Sequence, residues 1–191
     1  YLRDRDTGNK TRILQGGYQV EANHVDQDLP LLDFAGDNTL GIIYFKRGFL
    51  YLASYQIETG LLNEKPLTRF NQIKSFSLNQ NGRLAIISGD VDGKSDLFLI
   101  SVLRNSVRRI TSDIFDDIDP TFIPGTAAIV FSSNRPSDAL NISDTSIKYL
   151  NPHFNLFLFD IDTTTQQYFR MTNTNTRDTK PIFKNQSELY F

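Results

Sequence analysis

The feature that most constrains the fold of this chain is a sequence unit that recurs with a period in the forties. Each unit holds four short apolar runs separated by turn residues, and no run shows the 3.6-residue periodicity of a helix. A phenylalanine near the start of each unit recurs at intervals of 42, 46 and 61 residues. Four strands per unit at this period predict the blades of a β-propeller. The recurring phenylalanines are Phe34, Phe76, Phe122 and Phe183.

The unit boundaries predict an all-β chain of four-stranded antiparallel blades, forming a single partial β-propeller over residues 1–191. Both ends of the sequence fall within blades, so we expect the chain to be part of a larger propeller in a longer polypeptide. A four-stranded blade has two apolar faces and must stack against neighbours to bury both of them. The predicted parts are the end of a blade at 1–28, whole blades at 29–70, 71–115 and 116–176, and the start of a blade at 177–191, with a loop at 138–153 inserted in the third blade.

Composition excludes several classes of function. The chain has no cysteine, which excludes disulfides, thiolate metal sites and thiol catalysis. A formal net charge of −2 gives no electrostatic reason to expect nucleic acid as a partner. The longest apolar runs have the length of a strand, so we expect no membrane insertion of this segment.

The third unit carries a family resemblance. An Asp-Pro pair and Phe122 open its first strand, Pro124-Gly125 turns it, and Met171-Thr172 ends the unit, as Leu67-Thr68 ends the first. This pattern resembles the TolB-type propeller repeat, in which Pro and an aromatic residue begin the inner strand and a Leu-Thr pair closes the blade. The turns depart from the Pro-Asp-Gly of that family. The segment Ser132-Ser133-Asn134-Arg135-Pro136 is also similar to envelope proteins of the Bacteroidetes group.

The resemblance implies a function as well as a fold. It implies a non-catalytic binding and scaffolding module of the bacterial cell envelope, placed in the periplasm, that holds a protein or peptide partner on a loop-lined face. The alternative is the substrate-gating propeller of a prolyl-oligopeptidase-like serine peptidase, whose catalytic domain would lie outside this chain. A metal-dependent lyase built on a propeller is a weaker third possibility, because the chain has only two histidines.

An acidic cluster precedes the third blade. Asp116, Asp117 and Asp119 fall in a predicted loop, and Asp28 and Asp178 precede other inner strands in a similar way. By the resemblance, such loops lie at one mouth of the propeller near its axis, where they would form a negative rim for a basic peptide or a cation. The favoured alternative is that each aspartate caps the backbone N–H groups of its own turn.

A second acidic pattern, Asp90-x-Asp92-Gly93-x-x-Asp96, has alternating oxygen ligands and a glycine, as a short calcium loop would. The favoured alternative is a hairpin turn, since no glutamate stands at the twelfth position of the loop. Apart from this Ca²⁺ hypothesis, we predict no cofactor.

Catalysis is not predicted from this sequence. Ser132, Ser133 and Arg135 could suggest a nucleophile and an anion binder, but the chain lacks a G-x-S-x-G elbow and a histidine placed as base. We expect Arg135 to bond to backbone or to an aspartate between blades, and we keep it as a tentative binding residue on the loop face. Tyr149 belongs to the inserted loop, which would cover the propeller or present an apolar patch to a partner.

Overall fold

The computed structural model describes residues 1–14, 30–91, 93–136, 153–163 and 167–191. These residues contain sixteen β-strands and no α-helix, and none of their segments is a helix that could cross a membrane. The strands are β1 (Leu2–Arg3), β2 (Lys10–Thr11), β3 (Leu31–Ala35), β4 (Thr39–Lys46), β5 (Phe49–Gln56), β6 (Leu62–Pro66), β7 (Gln72–Leu78), β8 (Leu84–Asp90), β9 (Ser95–Ser101), β10 (Val107–Arg109), β11 (Asp117–Phe122), β12 (Ala128–Ser133), β13 (Asn155–Asp160), β14 (Tyr168–Arg170), β15 (Ile182–Asn185) and β16 (Glu188–Tyr190).

The strands form three four-stranded antiparallel sheets and two two-stranded ones. In each four-stranded sheet the order in space follows the order in the chain: β3 to β6, β7 to β10 and β11 to β14. Two-stranded sheets, β1–β2 and β15–β16, stand before and after them. Each strand pairs with the next one along the chain, as in an antiparallel meander. Short connections join the paired strands except β12 and β13, which are separated by residues 134–154. We call the three four-stranded sheets blades 1, 2 and 3.

The blades pack face to face and share their cores. In β8 of blade 2, Ala85 and Ile87 enter the core shared with blade 1, whereas Ile86 enters the core shared with blade 3. This alternation follows from the two-residue period of a strand, which sends successive side chains to opposite faces. The outer face of blade 1 packs in turn against Leu2, Ile13 and Leu14. Blades 1 and 2 thus each bury both faces. The prediction of an all-β propeller is confirmed.

Two glycines allow the first two blades to approach closely. A Cβ atom on Gly41 of β4 would lie 2.7 Å from Leu78 Cδ1 in blade 2. A Cβ atom on Gly89 of β8 would lie 2.5 Å from Phe70 Cδ1, a ring atom in the segment that leads from blade 1 to blade 2. Real Cβ atoms do not approach carbon so closely, and interiors at this density leave little room to shift. The close contact between the two blades therefore requires glycine, which has no side chain, at positions 41 and 89.

A threonine closes each of blades 2 and 3 by the same set of hydrogen bonds. Thr111 Oγ1 accepts the Leu97 N–H, at 2.9 Å, in the third strand of blade 2. Thr172 Oγ1 accepts the Leu156 N–H in blade 3 at the same distance. The Nε–H of the arginine two residues earlier, Arg109 or Arg170, donates to the carbonyl of that threonine. This geometry gives a physical reason for the recurring threonine at the end of each unit.

The structure corrects the spacing that was assigned to the phenylalanines. Phe122 pairs with Ile129 as the last pair before the turn, and the last pair of blade 2 is Leu78 with Ala85. Leu78, and not Phe76, therefore holds the place of Phe122. Phe34 is 55% exposed, while its neighbour Ala35 is buried, so Phe34 lies on the other face of its strand. An offset of one residue is enough to reverse the face of a strand residue.

Candidate binding groove

The first strands of successive blades lie side by side and line a groove of about 760 Å³. Its walls come from β3, β7 and β11 and from the residues that lead into β15, so four consecutive units contribute to it. Each of β3, β7 and β11 is the terminal strand of its sheet and pairs on one side only. The groove is therefore built from the inner edges of the blades. We call it the axial groove.

Side chains join these inner edges to one another. Asp33 Oδ2 of β3 accepts the Leu78 N–H of β7 at 2.6 Å. Ser75 Oγ of β7 accepts the Asp119 N–H of β11 at 3.0 Å, and Asp119 Oδ2 accepts the Lys180 N–H at 3.3 Å. Each bond satisfies an N–H of one inner edge with a side chain of the preceding unit, which prevents that edge from pairing with a foreign strand there.

Asp119 and Lys180 hold equivalent places in successive units. Each precedes a proline, and each has a positive φ, 51° for Asp119 and 55° for Lys180. This backbone conformation is uncommon for residues other than glycine, and in β11 it accompanies a register shift between Ile118 and Thr121. The counterpart of Asp119 is therefore Lys180 and not Asp178, which corrects the sequence-based alignment of the acidic residues.

Large apolar side chains stand exposed along the groove. Leu32 and Phe34 lie on β3, and Ile182 begins β15; all three are more than half exposed and line the groove. Prolines 120, 124 and 181 add further apolar surface to the same walls. An apolar lining with a few placed polar groups is the usual composition of a ligand site.

Four charged residues line the groove: Asp33, Lys74, Asp119 and Lys180. Lys74 is the extra residue of a bulge in β7, where the register shifts between Ile73 and Ser75. Burial raises the pKa of Asp33, although the Leu78 N–H that it accepts acts against this shift. Both aspartates already accept a backbone N–H from a neighbouring unit.

The predicted acidic rim is not formed as expected. Asp117 lies inside strand β11 and not in a loop, and its side chain is fully buried. Asp116 is partly exposed, 4.0 Å from Lys74 Nζ, and Asp119 binds Lys180 N–H. Asp178 is buried, and its carboxylate accepts the hydroxyls of Thr174 and Thr176. These aspartates therefore serve internal contacts of the fold. Their partners are side chains or the backbone of other segments, and not the backbone N–H groups of their own turns that the favoured alternative expected.

Arg135 and two aspartates form a buried charged cluster between blades 2 and 3. Arg135 Nη2 donates to both carboxylate oxygens of Asp117, at 2.8 and 2.7 Å, and lies 3.1 Å from Asp113 Oδ2. The side chains of all three residues are 0% exposed. Arg135 Nε also donates to Ser133 Oγ. The expectation that Arg135 bonds to an aspartate between blades is confirmed. The tentative placement of Arg135 and Asp117 on the loop face is wrong, because both side chains are buried.

Aromatic rings complete the surroundings of this arginine. The guanidinium carbon lies 4.5 Å from the ring centre of Tyr168 and within 6 Å of the ring centres of three phenylalanines, Phe115, Phe131 and Phe157. Ring faces attract a cation, and this attraction grows when water is excluded. The Tyr168 hydroxyl donates to the Ile110 carbonyl, and Ser88 Oγ of β8 donates to the Asp117 carbonyl, so the cluster also connects blade 2 with blade 3.

One guanidinium faces two carboxylates in this cluster. Burial raises the pKa of Asp117 to about 6, against the attraction of Arg135 and with the repulsion of Asp113. Burial lowers the pKa of Arg135, but the two carboxylates outweigh that effect and the net shift is upward. Because the cluster holds one positive charge and two negative ones, it is poised to take up a proton at mildly acidic pH.

The acidic residues of the proposed calcium loop are not brought together. Asp96 pairs in register with Gly89, and Asp90 pairs with Ser95, so Asp90 and Asp96 project from opposite faces of the sheet. Asp90 Oδ1 accepts the Gly93 N–H at 2.6 Å, as in a turn. Asp96 is buried and binds Arg109 and Thr111. Asp92 lies outside the described residues.

Some predicted residues cannot be placed, and others were missed. Tyr149, Asp28, His24 and the inserted loop apart from residue 153 lie outside the described residues. The sequence reasoning did not single out Lys74, Lys180, Leu32 or Phe34 as site residues. One signal could have found Lys180: like Asp119 it immediately precedes the proline that opens an inner strand. The spacing of the phenylalanines made Phe34 equivalent to Phe122, which is buried, and so gave no sign of its exposure.

Neither a protein-family model nor a curated protein matches this chain by sequence. Solved structures do match its fold. TolB from Acinetobacter baumannii superposes with a TM-score of 0.58 at 13% identity, over 79% of this chain and 34% of that one. A putative TolB from Agrobacterium tumefaciens gives 0.54 at 16% identity, over 81% of this chain and 56% of that one.

The fold is that of a TolB-like β-propeller. The tricorn protease also matches, with a TM-score of 0.57 at 16% identity over 80% of this chain and 14% of that one. At such identities the likeness concerns the fold alone. The chain spans about a third of the length of the first TolB structure and just over half of the second.

Proposed function

We propose that this TolB-like propeller is a non-catalytic module that binds a protein or peptide partner, and that the axial groove is its binding site. The observation that carries the proposal is the meeting of four inner strands at one groove with exposed apolar side chains, among them Phe34 and Ile182. Its volume of about 760 Å³ falls within the range of sites that enclose a ligand. Because the groove is lined by the first strands of successive blades, an extended peptide could lie across several of them and contact their exposed side chains.

The location of this activity is proposed by analogy. The TolB fold of the solved neighbours favours the periplasm or cell envelope, and the resemblance to Bacteroidetes envelope proteins points the same way. Fractionation of cells that carry the native protein tests this placement. Recovery with periplasmic markers would support it, and recovery with cytosolic markers would contradict it.

Selection from a library of random linear peptides on the immobilised full-length protein tests the binding proposal. We expect enriched peptides, and we expect Phe34→Ala and Ile182→Ala each to weaken their binding about tenfold, as truncation of an interface residue can. Two matched controls lie outside the groove. Phe49→Ala is the control for Phe34→Ala, because Phe49 is 52% exposed and Phe34 is 55% exposed. Leu103→Ala is the control for Ile182→Ala, because Leu103 is 70% exposed and Ile182 is 65% exposed. Equal effects of the groove variants and their controls would refute the axial groove as the site.

The alternative function is the gating propeller of a peptidase, with the catalytic domain outside this chain. The similarity in fold to the tricorn protease, named as a protease, is the observation that favours testing it. A serine-hydrolase probe applied to the full-length protein separates the two functions. Covalent labelling of a serine outside residues 1–191 would favour the gate, whereas labelling of none would favour the binding module.

A further inference from the structure

We propose that the axial groove selects extended peptides that carry acidic side chains beside large apolar ones. This inference rests on the proposed binding function and adds the charge of the ligand to it. It has the opposite sign to the acidic-rim hypothesis, in which the aspartates before blade 3 would bind a basic peptide or a cation. The reason is that the aspartates of the groove already bind the backbone of neighbouring units, whereas its lysines form few contacts.

The two aspartates of the groove are committed to the protein itself. Asp33 Oδ2 accepts the Leu78 N–H, and Asp119 Oδ2 accepts the Lys180 N–H. Each aspartate keeps its charge, but it has one acceptor site fewer to offer to a ligand. Asp117, the most deeply buried residue of the former acidic cluster, is held by Arg135 and cannot reach the groove.

The two lysines of the groove are less committed. Lys180 is exposed, and among the described residues its ammonium group forms no ion pair, although its backbone N–H binds Asp119. Lys74 Nζ lies 4.0 Å from Asp116, a loose pair between side chains that are 40% and 44% exposed. Pairs of this kind contribute little and exchange partners easily. The charged groups of the groove that are freest to pair with a ligand are therefore the two ammonium groups.

The apolar surface supplies the second half of the specificity. Leu32 and Phe34 line the wall formed by β3, and Ile182 lines the opposite end, next to Lys180. A peptide lying along this surface meets both apolar side chains and ammonium groups. A peptide that places a carboxylate near Lys74 or Lys180, and large apolar side chains against Phe34 and Ile182, would complement both the charge and the apolar surface of the groove.

The test compares three synthetic peptides that share one apolar pattern and carry Glu, Gln or Lys at the same polar positions. Their affinities for the full-length protein are measured by fluorescence anisotropy at low salt and at 1 M salt. We expect the Glu peptide to bind about three- to tenfold more tightly than the Lys peptide at low salt, as one or two exposed ion pairs allow. The difference should nearly vanish at 1 M salt, where charges are screened within about 3 Å.

Charge reversal locates the effect. Lys74→Glu with Lys180→Glu should reverse the preference to the Lys peptide. The control, Lys10→Glu with Lys94→Glu, makes the same change in net charge at exposed sites outside the groove and should leave the preference unchanged. If the three peptides bind equally, or the Lys peptide binds best, the charge proposal is wrong while peptide binding stands. If selection yields no peptide, or if the groove variants and their controls affect the selected peptides equally, the proposed function itself fails.

Discussion

Replacement of Arg135 by methionine tests the energetics of the buried cluster most sharply. The variant removes the only cation facing Asp113 and Asp117 among the described residues, while an apolar side chain of similar length remains among the aromatic rings. Two carboxylates would then be left in a site that excludes water. A buried ion pair adds little to stability as a whole, but the loss of one partner is costly.

The expected loss follows from the partners that Arg135 leaves behind. Removing one member of a buried pair costs about 3–5 kcal/mol, and here two carboxylates lose the same guanidinium. That loss is a large share of the roughly 5–15 kcal/mol by which domains are typically stable. Substituting both aspartates by asparagine in the Arg135→Met background removes the unpaired charges. We expect this triple variant to regain more than about half of the lost stability, because its side chains no longer need a cation.

Urea denaturation at pH 7, followed by circular dichroism, measures these differences in the free energy of unfolding. The matched control is Arg83→Met, an exposed arginine, which should change stability by no more than about 0.5 kcal/mol. A loss below about 1 kcal/mol for Arg135→Met would refute the reasoning. So would a triple variant that is less stable than the single one.

Two further predictions follow from the same contacts. Since burial raises the pKa of Asp117 from 3.8 to about 6, the folded state keeps a proton that the unfolded state loses between these values. This contribution to the free energy of unfolding is present below about pH 4 and is lost as pH rises through about 6, by roughly 3 kcal/mol. Asp117→Asn should flatten that slope in urea titrations, and parallel profiles of the two proteins would contradict it. Gly89→Ala should lower the free energy of unfolding by about 1–3 kcal/mol, because the added methyl group would collide with the Phe70 ring. Adding Phe70→Leu to that variant should restore part of the loss. Thermal melts of the single and the double variant that both match wild type would exclude this packing.

The sequence predicts the blades well because they depend on local signals. The short apolar run that forms β8 and the Asn81-Gly82 turn each specify structure within a few residues. A closing threonine such as Thr111 recurs because the same backbone N–H must be satisfied in each blade. The TolB resemblance adds the radial stacking, which the structure and its TolB neighbours confirm.

The groove was harder to predict because it depends on which blade edges meet. The sequence led us to expect an aspartate between blades as one possible partner of Arg135, but nothing near Asp117 identified it as that partner. The face of Phe34 depends on a one-residue offset in register that spacing between phenylalanines cannot detect. Lys180 reaches the groove of Lys74 only because β15 follows blade 3 around the axis.

Hydrogen–deuterium exchange of the full-length protein, with and without a selected acidic peptide, tests the central claim most directly. If the axial groove holds the peptide, protection should rise in the inner strands β3, β7 and β11 and at the start of β15. The outermost strands β6, β10 and β14 should exchange as before, since they lie at the opposite edge of each sheet. Protection confined to those outer strands, or no change in the inner ones at saturating peptide, would contradict the account.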